Sequence, residues 1–172
     1  MSQKFRRFAP REVQLNPGIF LDRFHVNRGY VLSLKNQNLL QNHYLEAGLG
    51  NFGQIRNTLH GDTSAGEDRH WGWESPTCQV RGQFLGHWLT AAARIYATTG
   101  DVELKLKADE IIAELAKCQE RNGGEWVFPL PEKYLHWTAK GQPTWSPQYV
   151  IHKTLMGLYD MYAFADSQPA LD

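Results

Sequence analysis

The sequence predicts an all-α protein, an arc of an α/α toroid built from helix hairpins with long aromatic loops gathered at one mouth. Three observations carry this. Apolar residues recur at spacings of three and four, as a single buried helix face requires. A two-residue link, Gly100-Asp101, joins two such segments and forces them antiparallel. Long loops rich in Trp and His alternate with that short link, a rhythm that a bundle with short connections at both ends would not show.

The first helical region runs roughly from Phe20 to Gly48, with Leu21, Phe24, Tyr30, Val31, Leu34, Leu39, Leu40, Tyr44 and Leu45 as its apolar set. Asn16-Pro17-Gly18 before it is turn chemistry, and Gly48-Leu49-Gly50 stops it. A break is expected near Asn36-Gln-Asn, because asparagine competes poorly inside helices. A polar loop from Asn51 to about Val80 follows, with His60, His70, Trp71 and Trp73 arguing that it is ordered and lines something.

The hairpin comes next. Leu85, Trp88, Leu89, Ala92, Ile95 and Tyr96 form one buried stripe, and Gly100 ends that helix in the left-handed geometry glycine accepts. Asp101 caps the next helix, whose stripe is Leu104, Ala108, Ile111, Leu115 and Cys118. Asn122-Gly123-Gly124 closes it. A second long loop, Glu125 to Pro147, carries Trp126, Phe128, Tyr134, His136, Trp137 and Trp145. A last helix over Gln148 to Ala165 is expected to turn Ile151, Leu155, Leu158, Tyr159 and Tyr162 inward. The tail from Asp166 to Asp172 reads as a hairpin link and the first turn of a further helix, so truncation is expected, with exposed helix faces open to self-association.

Composition narrows the function. Lys and Arg total 18, as do Asp and Glu, so the formal charge of zero gives no reason to expect nucleic acid or an anionic membrane. No apolar run is long enough for a membrane span. No signal peptide is evident after the basic N-terminus, which favours the cytoplasm. Cys78 and Cys118 form neither a disulfide framework nor a metal-ligand spacing. Six Trp, seven Tyr, eight Phe and seven His in 172 residues are a high aromatic and imidazole content. Exposed Trp suits stacking on sugar rings, while plugging the ends of a helical bundle is the plainer alternative.

At Gly72-Trp73-Glu74, Arg81-Gly-Gln-Phe-Leu-Gly-His87-Trp-Leu, Ala97-Thr-Thr-Gly-Asp101, Glu114-Leu-Ala-Lys-Cys-Gln119 and Trp145-Ser-Pro-Gln-Tyr-Val-Ile-His152-Lys, the chain resembles glycoside hydrolase family 127 and its relatives, the β-L-arabinofuranosidases. The resemblance covers roughly Val13 to Asp166. It implies an (α/α)6 toroid followed by β-sandwich domains, with residues 1–172 as the N-terminal portion of the toroid. It also implies removal of β-L-arabinofuranose from glycans with retained configuration. The nucleophile it implies is a cysteine held on zinc by other cysteines and a glutamate, with a separate glutamate as acid/base. Those groups lie later in the family's chain, and neither cysteine here matches their motif. No nucleophile, acid/base or metal ligand is therefore assigned, zinc is expected only in the full-length parent, and these residues alone are expected to be inactive.

The expected sugar contacts are His152, His87, Glu74, Trp73, Trp145 and Gln148. His152 follows the Trp145–Pro147 entry to the last helix, and the resemblance gives such a histidine to the sugar hydroxyls, which imidazole can both donate to and accept from. Packing against the neighbouring loop is the alternative. His87, at the start of its helix, has a structural carbonyl as its competing partner. Glu74 offers either a sugar-hydroxyl contact or a structural hydrogen bond. Trp71, Trp73 and Trp145 are stacking platforms or loop packing. Tyr149 joins Gln148 toward the mouth, and relatives carry an aromatic residue at Gln148, which bears on the sugar preferred. Two other functions compete: a non-catalytic carbohydrate-binding or helical interaction domain, and a sugar epimerase.

Overall fold

The computed structural model describes residues 6, 8–50 and 69–172. Most of the loop with His60 therefore lies outside the described residues, as does nearly all of the basic N-terminus. The helices are α1 (Ile19–Ser33), α2 (Asn36–Leu39), α3 (Gln41–Glu46), α4 (Gln83–Thr99), α5 (Val102–Arg121), α6 (Lys133–Ala139) and α7 (Pro147–Ala165). No strand occurs among the described residues. The first helical region breaks beside the expected place, at Leu34 and Lys35 and again at Leu40, while Asn36, Gln37 and Asn38 themselves lie within α2. The second aromatic loop is not continuous loop, because α6 interrupts it. That helix has seven residues and no side-chain cap, so little in its sequence announces it.

The α4–α5 hairpin follows its local chemistry. Gly100 closes α4 at φ +74°, its N–H donating to the Tyr96 carbonyl at 2.7 Å. The Asp101 carboxylate accepts the Leu104 N–H at 3.1 Å and so caps α5. Arg28 of α1 donates to the same carboxylate at 2.6 and 3.1 Å and to Glu103 at 2.8 Å. This ties α1 to the turn, and Trp88 adds a bond from Nε1 to the Val31 carbonyl at 2.8 Å. The core joins Leu39 and Leu40 to the stripes of α4 and α5 and to Met161 and Ala165 of α7.

The broadest helix contact is between α4 and α7. Gln83 meets Tyr149, Gly86 meets Lys153, and Arg94 meets Asp160. Residue numbers advance together along both helices, so α4 and α7 run parallel and their N-termini share one end. Their backbones nearly touch: a Cβ on Gly86 would lie 1.9 Å from the Lys153 carbonyl oxygen, and one on Gly157 would lie 2.7 Å from that of Gly86.

This close crossing corrects the expected inward face of α7. Val150, Thr154, Gly157, Met161 and Ala165 are buried, while Leu155 and Tyr159 are 52 % and 62 % exposed, and Tyr162 is also exposed. Small residues sit inside because only they permit the approach. Leu158 is half-buried and packs on the core as expected, and with Leu155 and Tyr159 it walls an open groove of about 440 Å³ whose other side includes Ile112, Leu115 and Phe128.

Beside the apolar core, α3 buries Gln41, Asn42 and His43. Gln41 donates to the carbonyls of His70 and Glu74 at 2.8 and 2.9 Å, pinning the loop before α4. Neither ring nitrogen of His43 has a hydrogen-bond partner among the described residues. Burial, with the Arg81 charge second, lowers its pKa from the ordinary 6.5 to about 3. The unfolded chain therefore takes up a proton below pH 6.5 that the folded chain refuses down to about pH 3. Stability should fall with pH across that window, by about 2 kcal/mol from this group between roughly pH 7 and pH 5. Urea unfolding at several pH values checks this. A His43→Met variant should lose the slope, and an unchanged slope in it would acquit His43.

Candidate functional site

The shared N-terminal end of α4 and α7 gathers most of the candidate residues. Trp73 and Trp145 come from different loops and are 60 % and 50 % exposed. Their rings meet edge to face, with centroids 6.1 Å apart and planes at 89°. Trp145 is held by its own N–H, which donates to Gln79 Oε1 at 2.6 Å. Ser146 takes a left-handed conformation at φ 51° before Pro147 opens α7, turning the chain sharply out of the Trp145 loop. Two perpendicular, solvent-facing indoles offer a wall and an edge to an apolar ring face.

The other loop aromatics do not join them. Trp126 donates Nε1–H to the Leu130 carbonyl at 2.7 Å and packs against the small cluster of Val80, Leu130 and Val150. Trp137 lies against Tyr134, with centroids 5.3 Å apart. Trp71 is half-buried.

Below the indoles, α4 and α7 present a polar row. Tyr149 Oη donates to Gln83 Oε1 at 3.4 Å and stands 3.3 Å from His87 Nε2. A phenol has one proton, so with that proton on Gln83 it must accept from His87. In that arrangement the His87 proton sits on Nε2 and Nδ1 is the acceptor; the opposite tautomer would turn the contact round, with Tyr149 donating to Nε2. Gln83 in turn lies close enough to the buried Glu74 carboxylate to favour its ionised form. Burial, followed by the charges of Lys153 and His152, holds the His87 pKa below its ordinary value. A neutral ring with one donor and one acceptor is what hydroxyl recognition needs.

His152 and Gln148 are exposed on the first two turns of α7, one helical turn apart. The influence of His152 on His87 places both imidazoles within electrostatic reach. Lys153 lies over the Tyr149 ring, its Nζ 5.1 Å from the centroid.

Glu74 is placed differently. It is 8 % exposed and turned inward. Its Oε2 accepts from the Gly82 N–H at 2.7 Å and from Asn42 Nδ2 at 3.0 Å, and its Oε1 accepts from the Phe84 N–H at 2.9 Å. Helix α4 begins after Gly82, which has no side chain to cap it, and Glu74 supplies the missing acceptor from outside the helix. Burial raises its pKa, and these bonds partly offset that. Of the two roles open to Glu74 from the sequence, these contacts are of the structural kind.

Reading the sequence missed Gln79, Gln83 and Lys153. Gln83 stands four residues before His87, and Tyr149 four before Lys153, so helical spacing just inside each helix start was the available signal.

Cys118 is buried in the stripe of α5, Cys78 packs near Val80, and no group of three His, Cys, Asp or Glu able to hold a metal ion occurs among the described residues. The described residues offer no ligand set for the zinc that the resemblance implies, and no chemical step is derived through it.

No curated protein matches the chain. The family model described as β-L-arabinofuranosidase, GH127 catalytic domain, matches residues 12–172, which includes α1 to α7 and the whole of the Trp73–Trp145–His87 surface. The chain belongs to the glycoside hydrolase family 127 catalytic-domain family.

Proposed function

We propose that these residues form the sugar-binding face of a retaining glycoside hydrolase that removes β-L-arabinofuranose, or a related sugar, from glycans. In this reading α4 and α7 are neighbouring inner helices of an (α/α)6 toroid, and their shared N-terminal end is its mouth. The observation that carries it is the convergence there of two exposed indoles, from loops more than sixty residues apart, with His87 and Tyr149. The indoles stack on the C–H face of the ring. His87 Nδ1 accepts a sugar hydroxyl, and His152 and Gln148 reach others from the next turn.

Bond cleavage is assigned to groups outside the described residues, since Glu74 is committed to α4 and neither described cysteine is placed for attack. The zinc-held thiolate and the acid/base glutamate of the family enter here as part of the proposal only. The same inward turn of Glu74 favours one competing reading, a carbohydrate-binding domain without catalysis. Hydrolysis of an aryl β-L-arabinofuranoside by the full-length protein separates the two.

The residue-level test is His152→Ala in that protein. His152 is exposed, so the melting temperature should hold. Turnover should fall by about two decades, because a hydroxyl bond that strengthens as positive charge develops on the ring contributes roughly 2–3 kcal/mol to the transition state alone. A destabilised but fully active variant would remove His152 from the site.

A further inference from the structure

The two exposed indoles come from segments that are anchored very differently. Trp73 is followed at once by Glu74, whose backbone carbonyl accepts from Gln41 and Asn42 of α3, both at 2.9 Å. The residues after Glu74 are tied as firmly. Arg81 donates to the Pro76 carbonyl at 2.6 Å, to the Pro129 carbonyl at 2.8 Å and to the Glu46 carboxylate of α3 at 2.8 Å. Trp145 ends a loop that leaves α6, a seven-residue helix that buries none of its side chains. The hydroxyls of Thr144 and Thr138 meet at 2.9 Å, which hitches this loop to α6 and so to a lightly packed element.

Gln79 joins the two sides. It is half-buried in the segment that Arg81 clamps, and its Oε1 accepts the Trp145 N–H at 2.6 Å, across 66 residues of sequence. A backbone N–H can only donate, so the amide oxygen must face Trp145 and the orientation of the Gln79 side chain is set. The next residue, Ser146, stands at φ 51° and ψ 47°. A serine keeps that left-handed conformation where its surroundings hold it, and the Gln79 bond acts one residue before the turn. It fixes the peptide from which the Trp145 indole projects, and with it the right-angled contact to Trp73.

We propose that Gln79 is a positioning residue for the sugar: by holding the Trp145 peptide it keeps the second indole perpendicular to the first before the sugar arrives. The inference rests on the sugar-binding reading above. A wall already in place spares the ligand the ordering of a loop when it binds. Stacking acts on the ring in the ground state and the transition state alike, so loss of the hold raises KM and leaves kcat nearly unchanged.

Circular dichroism and kinetics on the full-length protein test this together. Edge-to-face indoles couple excitonically and give a pair of far-ultraviolet bands of opposite sign, which Trp73→Phe should abolish and so identify. Gln79→Met keeps the side-chain length but lacks the oxygen. It should lose that couplet and raise KM for an aryl β-L-arabinofuranoside about fivefold, with kcat within about twofold of the parent. Gln79→Glu retains an oxygen acceptor and should restore both. A role in packing would be served by Met at least as well as by Glu, so the order of the two variants separates positioning from structure. A couplet that survives in Gln79→Met, or is not restored in Gln79→Glu, overturns the hold on Trp145, as does a Gln79→Met protein that fails to fold. A couplet lost with KM unchanged overturns its bearing on the sugar and leaves the sugar-binding reading standing. A parent that does not act on the glycoside overturns that reading, while the couplet still decides whether Gln79 sets the indoles.

Discussion

Replacing Gly86 by Ala is expected to cost about 3 kcal/mol or more, and the variant should melt far below the parent or fail to fold. The added Cβ would lie 1.9 Å from the Lys153 carbonyl oxygen and 2.3 Å from its carbon. Backbone cannot rotate out of the way as a flexible side-chain end can. Helix α7 would have to retreat by an ångström or more, separating Leu89 and Met161 from their packing and opening voids on both sides. Gly29 in α1 provides the control, because a Cβ there meets nothing within 4 Å. Gly29→Ala should stabilise the chain by roughly 0.5–1 kcal/mol, from helix propensity alone. Thermal melts of the two variants should move in opposite directions. A Gly86→Ala protein as stable as the parent would mean that α4 and α7 do not cross backbone to backbone, and the common mouth built on that crossing would go with it.

What could be read from the sequence divides along the same line between local and tertiary causes. The α4–α5 hairpin was legible because every part of it is local: the stripes, the left-handed Gly100 and the Asp101 cap lie within a few residues of what they act on. The face of α7 was not. Leu155, Tyr159 and Tyr162 look like core by size, but the buried stripe is set by how closely α4 approaches. Thr154, Gly157 and Ala165 are small, a signal that only a close crossing makes meaningful. The polar cluster of Gln41, Asn42 and His43 was hidden for a related reason: its partners, the loop around His70 and Glu74, are some thirty residues away. Of the candidate residues, Trp73, Trp145, His87, His152 and Gln148 were legible as chemical types in loops and at helix starts. The bond chain through Tyr149 and Gln83 depends on α4 and α7 being parallel, which no single helix announces.

Glu74 illustrates the difference most directly, and Glu74→Ala should have the second large effect. Removing the carboxylate strands the Gly82 and Phe84 N–H groups at a buried helix start and takes one of two acceptors from Asn42, whose amide keeps the Glu74 backbone carbonyl. Leaving buried donors without acceptors should cost about 3–5 kcal/mol. Glu74→Gln keeps one oxygen but turns an NH2 toward a backbone N–H, and should cost roughly half as much. The pH dependence has a definite sign. Because burial raises the folded pKa above the ordinary 4.5, this group's contribution to stability is fully present below that value and is lost as pH rises through the folded pKa. Glu74→Gln should lose that decline, whereas His43 acts oppositely, its contribution falling as pH drops below 6.5. Sugar affinity then decides between cap and ligand. In Glu74→Gln protein that remains folded, a cap leaves the affinity for a neutral sugar nearly that of the parent while the melting temperature drops. A sugar ligand would do the reverse: affinity falls sharply and the melting temperature holds. The second result would return Glu74 to the binding surface and put the start of α4 in need of another acceptor.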